Sequence, residues 1–424
     1  MNRRWWIVTG GLAVVFGLIQ WVGVEAKRPA DDGLYQELEL FTDALAIVQS
    51  DNVEEPPAKE LIYGALKGML ATLDPYSQFM DPDSYNELKV ETEGEFGGLG
   101  IEITIRDDLL TIIAPIDGTP AAQAGLMPGD RVVKIDGELT RDITLLEAVK
   151  KLRGHPGTTV TLTILREGEN HLKDVTIRRD IIKIESVREA KILEDHIGYI
   201  KLSDFREQTP QDLRGALERL RTEGMDSLVL DLRNNPGGLL DVSVSVAELF
   251  LARGRIVVTT RGRLQHQNME FRTRTDDTLH GLPLVVLINE GSASASEIVA
   301  GAIQDYRRGV IIGMKSHGKA SVQTIFPLKD GSALRLTTSK YFTPLGRSIH
   351  GEGIPPDVVV PFTPKGDQEA SADQAKEVFD RIEREGRGDG EVPEGALHPD
   401  NQLARAIDLI KGLRVYFSHE TATP

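Results

Sequence analysis

Two apolar runs, each ending in a turn of small residues that opens onto a helical pattern, constrain the fold of this chain most. Leu284-Val285-Val286-Leu287-Ile288 ends at Asn289-Glu290-Gly291, and Ser294, Ala295 and Ser296 lead into the helix-like EIVAGAIQDY. Upstream, Ser227 to Leu232 ends at Asn234-Asn235-Pro236-Gly237-Gly238, before a helical run from Leu240 to Leu251. Such uniformly apolar runs read as strands buried inside a parallel sheet. Both turns then reach the same sheet edge, where open α/β sheets present their sites.

A serine at a strand-to-helix turn stands at the helix N-terminus, where free backbone N–H groups can stabilise a developing oxyanion. That position suits Ser294 as a nucleophile. Lys319 follows 25 residues later, enough chain to descend one helix and return through the apolar strand Val310-Ile311-Ile312. A lysine can serve as base only if desolvation leaves it partly neutral. Gln323 could orient that amine without adding charge. Each half also has a plainer reading, since small Ser/Ala runs let a helix start close to a strand and Gly-Lys pairs form solvated turns.

The stretches GSASASEIVAGAIQDYRRGVIIG, GKASVQ and DGSALRLTTSKYFTPLGRSIHGEGIPPDVVV resemble the core of the carboxy-terminal-processing, or tail-specific, proteases. The resemblance implies Ser294 as nucleophile, Lys319 as general base and Gln323 as its positioning partner. It also implies an oxyanion hole made by the backbone N–H groups of Gly238 and Ala295. The chain departs from the family beside the base, where an aromatic and Gly-Lys-Gly are usual and His317, Gly318, Lys319 and Ala320 stand. If position 320 needs φ > 0, alanine strains the loop; if the backbone there is extended, it is neutral. His317 is two residues from Lys319, an offset that turns side chains apart in a loop. Asp231 and Arg233 read as scaffold.

The 424 residues allow two to three domains, and 49 Lys plus Arg against 65 Asp plus Glu give a net charge of −16, which argues against a nucleic-acid-binding surface. The absence of cysteine removes thiol catalysis and disulfides. Residues 1–26 read as an export signal: Arg3 and Arg4 precede an apolar run to Val24, and cleavage after Ala26 would send the protein to the periplasm, whereas an uncleaved segment would anchor it. An N-terminal helical region is expected over 27–92, with helices at Tyr35 to Val53 and Glu60 to Thr72 separated by Glu54-Glu55-Pro56-Pro57. Their apolar faces suggest a homo-oligomer, a dimer or higher. LDPYSQFMDPDSY reads as a turn-rich connection.

Residues 93–178 form the next expected domain. The glycines of GEFGGLGIEI do not make a dinucleotide loop, because Gly100 opens an alternating strand rather than a helix. They resemble the carboxylate-binding loop of a PDZ domain, which implies capture of a peptide C-terminus at Leu99, Gly100 and Ile101, with Leu145 and Val149 of a following helix as pocket wall. Arg153 could touch the peptidase domain, although a solvated helix end is the simpler expectation.

The peptidase core is expected over 179–362, with Arg263 to Leu279 as a mobile connection and the prolines of IPPDVVV marking an edge strand. Residues 363–424 read as an acidic linker and a C-terminal helix from Asn401 to Leu413. No histidine spacing suits a metal, and no cofactor is expected. The reading is an α+β, multi-domain serine endopeptidase that takes proteins or peptides with exposed C-termini, with an activating adaptor protein as a further partner. The alternatives are a catalytically silent PDZ scaffold and an acyl-CoA enzyme, the latter lacking any site for a nucleotide diphosphate.

Overall fold

The computed structural model describes residues 32–106, 108–169, 171–362 and 400–420. The expected export signal over 1–26 and the linker over 363–399 lie outside them. Helix α1 (Asp32–Asp51) and helix α2 (Ala58–Ala71) follow the apolar periodicity, with Pro56 and Pro57 in the break between them. On α1, Leu34, Tyr35, Leu38 and Phe41 are exposed. Among the described residues no helix is long and apolar enough to cross a membrane.

From Met69 the chain forms a second compact unit. The LDPYSQFMDPDSY stretch is more ordered than a turn-rich connection: it contains strand β1 (Gln78–Met80) and the start of helix α3 (Pro82–Glu93). Asp81 caps α3 by accepting the Ser84 N–H at 2.9 Å, and Gly94 ends it at φ +76°. Strand β2 (Glu95–Gly98) then leads into the PDZ-like module. There, β3 (Ile101–Arg106) and β4 (Leu109–Pro115) precede the short α4 (Pro120–Gln123), with β5 (Arg131–Ile135) and β6 (Glu138–Leu139) next. Helix α5 (Leu145–Leu152) starts at a Thr144/Glu147 capping box, and β7 (Thr159–Leu165) and β8 (Lys173–Arg178) close a six-stranded antiparallel sheet. Leu110, Ile112, Val132, Leu162 and Ile164 fill its core. Strand β9 (Asp180–Lys183) pairs back with β2, so the module enters and leaves through one two-stranded ribbon.

An α/β core follows. Strand β10 (Val187–Ile192) pairs antiparallel with β11 (Ile197–Leu202); helix α6 (Thr209–Thr222), β12 (Ser227–Asp231) and α7 (Leu240–Ala247) succeed them. Helix α7 is shorter than the predicted run to Leu251. Strand β13 (Ile256–Gly262) pairs with β14 (Met269–Arg272), so the expected mobile connection over 263–279 contains a ladder strand. Its polar composition is that of a sheet edge exposed to water. Strand β15 (Leu284–Ile288), helix α8 (Ala295–Asp305), β16 (Val310–Gly313), β17 (Ser321–Pro327), β18 (Ala333–Phe342) and β19 (Val358–Val359) complete the core, and α9 (Asn401–Glu420) ends it.

The central sheet has the order β10-β11-β12-β15-β16-β19 and is parallel from β11 to β19. Alternation across it explains the continuous apolar runs. Leu228, Leu230, Val286 and Ile288 face α6, α7 and α8, whereas Val229, Val285 and Leu287 face Ala406 and Ile410 of α9. Each fully buried side chain contributes roughly 1.5–3 kcal/mol. A second sheet, β1-β18-β13-β14 with β17 on β18, packs on the α8 side, and the Lys319 loop leads directly into its strand β17.

Candidate active site

The turns after β12 and β15 lie at one edge of the sheet and are tied together. Asn234 and Asn289 exchange hydrogen bonds of 2.8 Å, with the Asn234 N–H and the Asn289 Nδ2 as donors. The Asn235 carbonyl accepts from the Ala293 N–H (3.0 Å) and the Ser296 hydroxyl (2.9 Å). Small residues are obligatory here. A Cβ on Gly237 would lie 2.8 Å from that of Ser294, and one on Gly238 would lie 2.1 Å from the Phe205 carbonyl oxygen.

Ser294 adopts φ 54° and ψ −112°, a sparsely populated conformation for a residue with a side chain. Glu297, fully buried one turn into α8, explains how it is held. Its carboxylate accepts the N–H groups of Ser294 (2.9 Å), Gly318 (2.7 Å) and Lys319 (2.9 Å) and the Ser316 hydroxyl (2.6 Å). One carboxylate thus joins the serine turn to the lysine loop. The buried Tyr341 hydroxyl adds a second tie, lying 3.0 Å from the Ser294 carbonyl and also hydrogen-bonded to the Lys319 carbonyl. Burial, then the nearby Glu297, pushes its ionisation well above that of a free tyrosine.

Ser294 and Lys319 line one cavity of about 530 Å³, together with Gly237, Gly238, Gln323 and Tyr341. Ala295 heads α8, where the first N–H groups have no intrahelical acceptor. Burial first, then the charge of Arg335, lowers the pKa of Lys319 below that of a free lysine. Its Nζ lies 4.7 Å from the centroid of the Tyr76 ring and, among the described residues, makes no hydrogen bond or ion pair. Gln323 is on β17 beside it, but its amide donates to Ser321 Oγ (2.9 Å) and Thr337 Oγ1 (3.5 Å) rather than meeting the amine.

Ala320 is buried with no positive φ, so the strain considered at that position is absent; Gly318 takes the left-handed backbone instead, at φ +91°. His317 is exposed and contributes its backbone N–H to the Ser292 carbonyl. Asp231 and Arg233 form a buried pair that also engages Tyr199, Asp400 and Gln402. In the PDZ-like module, Leu99 is buried, and the carbonyl of Gly100 (φ +75°) accepts from the Ile116 N–H and Thr119 Oγ1 just before Ile101 opens β3. Val149 is half-buried and Leu145 exposed on α5, which packs on β3. Arg153 is half-buried, and its guanidinium stacks 4.4 Å from the Phe96 ring of β2.

Sequence reading missed Glu297, Tyr341 and Tyr76. Only Glu297 had a local signal, the Ser-x-x-Glu spacing of a capping box.

Residues 196–360 match the model of peptidase family S41, residues 111–166 that of a PDZ domain, and residues 15–84 that of the activating protease CtpB N-terminal domain. The chain is 48% identical over 334 residues to the carboxy-terminal-processing protease of Bartonella bacilliformis, covering 78% of this chain and 76% of that one. This chain belongs to the carboxy-terminal-processing proteases of family S41. It is also 41% identical over 310 residues to the carboxyl-terminal-processing protease of Synechocystis sp., covering 71% of each. A solved photosystem II D1 C-terminal processing protease is 29% identical, with 75% of this chain and 86% of that one covered and a TM-score of 0.44. The protein is therefore an α+β serine endopeptidase that carries a PDZ domain.

Proposed function

We propose that Ser294 attacks the scissile carbonyl while neutral Lys319 accepts its proton and later delivers it to the leaving amine. The observation that carries this reading is that both side chains open into one cavity while a single buried carboxylate, Glu297, fixes both backbones. The N–H groups of Gly238 and Ala295 stabilise the oxyanion. Gln323 completes the set by orienting the amine once Lys319 turns toward Ser294. Water then hydrolyses the acyl-enzyme.

The PDZ domain, over 93–178, holds the substrate's terminal carboxylate at Leu99, Gly100 and Ile101, with Leu145 and Val149 as pocket wall. Its attachment through the β2–β9 ribbon supports coupling between tail capture and the core. The exposed apolar residues of α1 support a homo-oligomer. We place the mature enzyme in the periplasm, on the pattern of residues 1–26, and an adaptor protein as activator is compatible with a lysine turned onto Tyr76.

The test is cleavage of an unfolded protein by Ser294→Ala, Lys319→Ala and Lys319→Arg. All three should be inactive with unchanged circular dichroism, since guanidinium cannot be deprotonated at usable pH. Near-normal turnover by Lys319→Ala would remove lysine from the mechanism.

A further inference from the structure

The segment that presents Tyr76 to the lysine is built with unusual care for a connection. The Asp74 carboxylate accepts the N–H groups of Tyr76 (2.8 Å) and Ser77 (2.9 Å) and the hydroxyls of Ser77 (2.7 Å) and Thr337 (3.1 Å). Thr337 returns its N–H to Ser77 Oγ at 3.1 Å, and Arg335 donates from Nε to the Tyr76 carbonyl at 3.2 Å. β1 then locks the register on β18, with Gln78 opposite Arg335 and Phe79 opposite Leu334. The backbone of the half-buried Tyr76 is held at its N–H and at its carbonyl, and its ring face meets Lys319 Nζ 4.7 Å from the centroid.

An aromatic face attracts a cation through its quadrupole and offers a neutral amine far less. The contact therefore favours the ammonium form, the form that cannot act as base. Other charged or titratable groups act on the same amine. Glu297 of α8 also favours the ammonium, Arg335 of β18 opposes it, and Tyr341 stands behind the lysine backbone. Glu91, Asp204 and Arg206 stand in the walls of the same cavity. Among the described residues only Tyr76 has its ring face on Nζ.

We propose that Tyr76 is a perch that holds the Lys319 side chain in a protonated position away from Ser294, a positioning residue that sets how readily the base becomes available. Substrate engagement must lift the lysine from this ring before proton transfer. The inference rests on the reading of Lys319 as the general base.

The test uses the full-length enzyme and the rate at which a fluorophosphonate probe labels Ser294, followed from pH 6 to pH 10.5. Tyr76→Phe keeps the ring face and should behave like the parent. Tyr76→Leu keeps bulk without a π-face, and labelling at neutral pH should rise roughly 3- to 10-fold, with the alkaline limb moved to lower pH, the effect of losing one partly exposed cation–π contact. Tyr76→Trp has a stronger face and should slow labelling and move the limb upward. A limb that stays fixed across the three variants, or moves upward in Tyr76→Leu, overturns the perch. If Tyr76→Leu does not fold, the Phe and Trp variants decide, and equal limbs in those two overturn the proposal. Lys319→Ala separates the layers: labelling at the parental rate would overturn the base assignment itself, whereas an unlabelled Lys319→Ala beside an unresponsive Tyr76 series overturns only the perch.

Discussion

A buried carboxylate that accepts four hydrogen bonds has no acceptor capacity to spare, so Glu297 is where a single substitution should disturb both halves of the site. Glu297→Gln replaces one oxygen by a donor and leaves it facing donors. The expected cost is on the order of 3 kcal/mol in stability, with probe labelling of Ser294 reduced more than 10-fold, both measurable on one preparation by thermal unfolding and labelling rate. Lys319 predicts a pH profile. Only the neutral amine accepts a proton, so the rate must rise with pH through the lysine ionisation. Burial and Arg335 lower that ionisation, which places the limb below the ~10.4 of a free lysine. A cleavage rate flat from pH 6 to pH 10 would contradict it.

At the scale of elements, the strand-to-helix units were readable because each is local: an apolar run, a turn of small residues and an amphipathic helix are contiguous in sequence. β1 and β14 were not readable. β1 has only three residues, and its partner β18 lies more than 250 positions downstream. The PDZ loop offers a test at this scale. A Cβ on Gly100 would lie 2.4 Å from Thr119, at a φ of +75° that disfavours any side chain. Gly100→Ala should therefore displace the loop, and cleavage of a substrate with a free C-terminal tail should fall at least several-fold further than cleavage of the same substrate amidated at its C-terminus. Equal losses on the two substrates would make the loop a structural feature only.

At the scale of the whole fold, an ion network at the end of β12 ties the central sheet to α9. Arg233, at the end of β12 and next to the glycine turn, pairs with Asp231 beneath it and with Asp400 at the start of α9. Burial would raise the Asp400 carboxyl, but hydrogen bonds from Arg233 and from the Leu403 and Gln402 N–H groups hold it below the ordinary aspartate range. Because the folded-state value is depressed, the stabilisation is complete above the unfolded pKa and disappears as pH falls through the folded one. Asp400→Asn should lose about 1–2 kcal/mol at neutral pH, the contribution of a charge-assisted hydrogen bond. The difference from the parent should vanish in acid, which denaturant titrations at pH 7 and below pH 3 would register. A constant difference at both values would mean that packing, not charge, sets the cost.

Sequence alone determined the elements whose signal is local: the buried strands, the serine turn, the PDZ-like module and the candidate serine and lysine. It also carried the family, since those residues stand in long runs of resemblance. Tertiary structure decided what depends on partners distant in the chain. The continuous apolar run of β15 says that both faces are buried but not that Val285 and Leu287 lie against α9, more than 100 residues away. A glutamate three residues after a serine reads as a helix cap; only the fold brings Ser316, Gly318 and Lys319 onto its free oxygens. Likewise, a tyrosine in a turn carries no mark of what its ring will face. The lysine meets it because β1 and β17 both pair with β18, and strand pairing across such separations is set by the burial of whole sheets rather than by any local pattern.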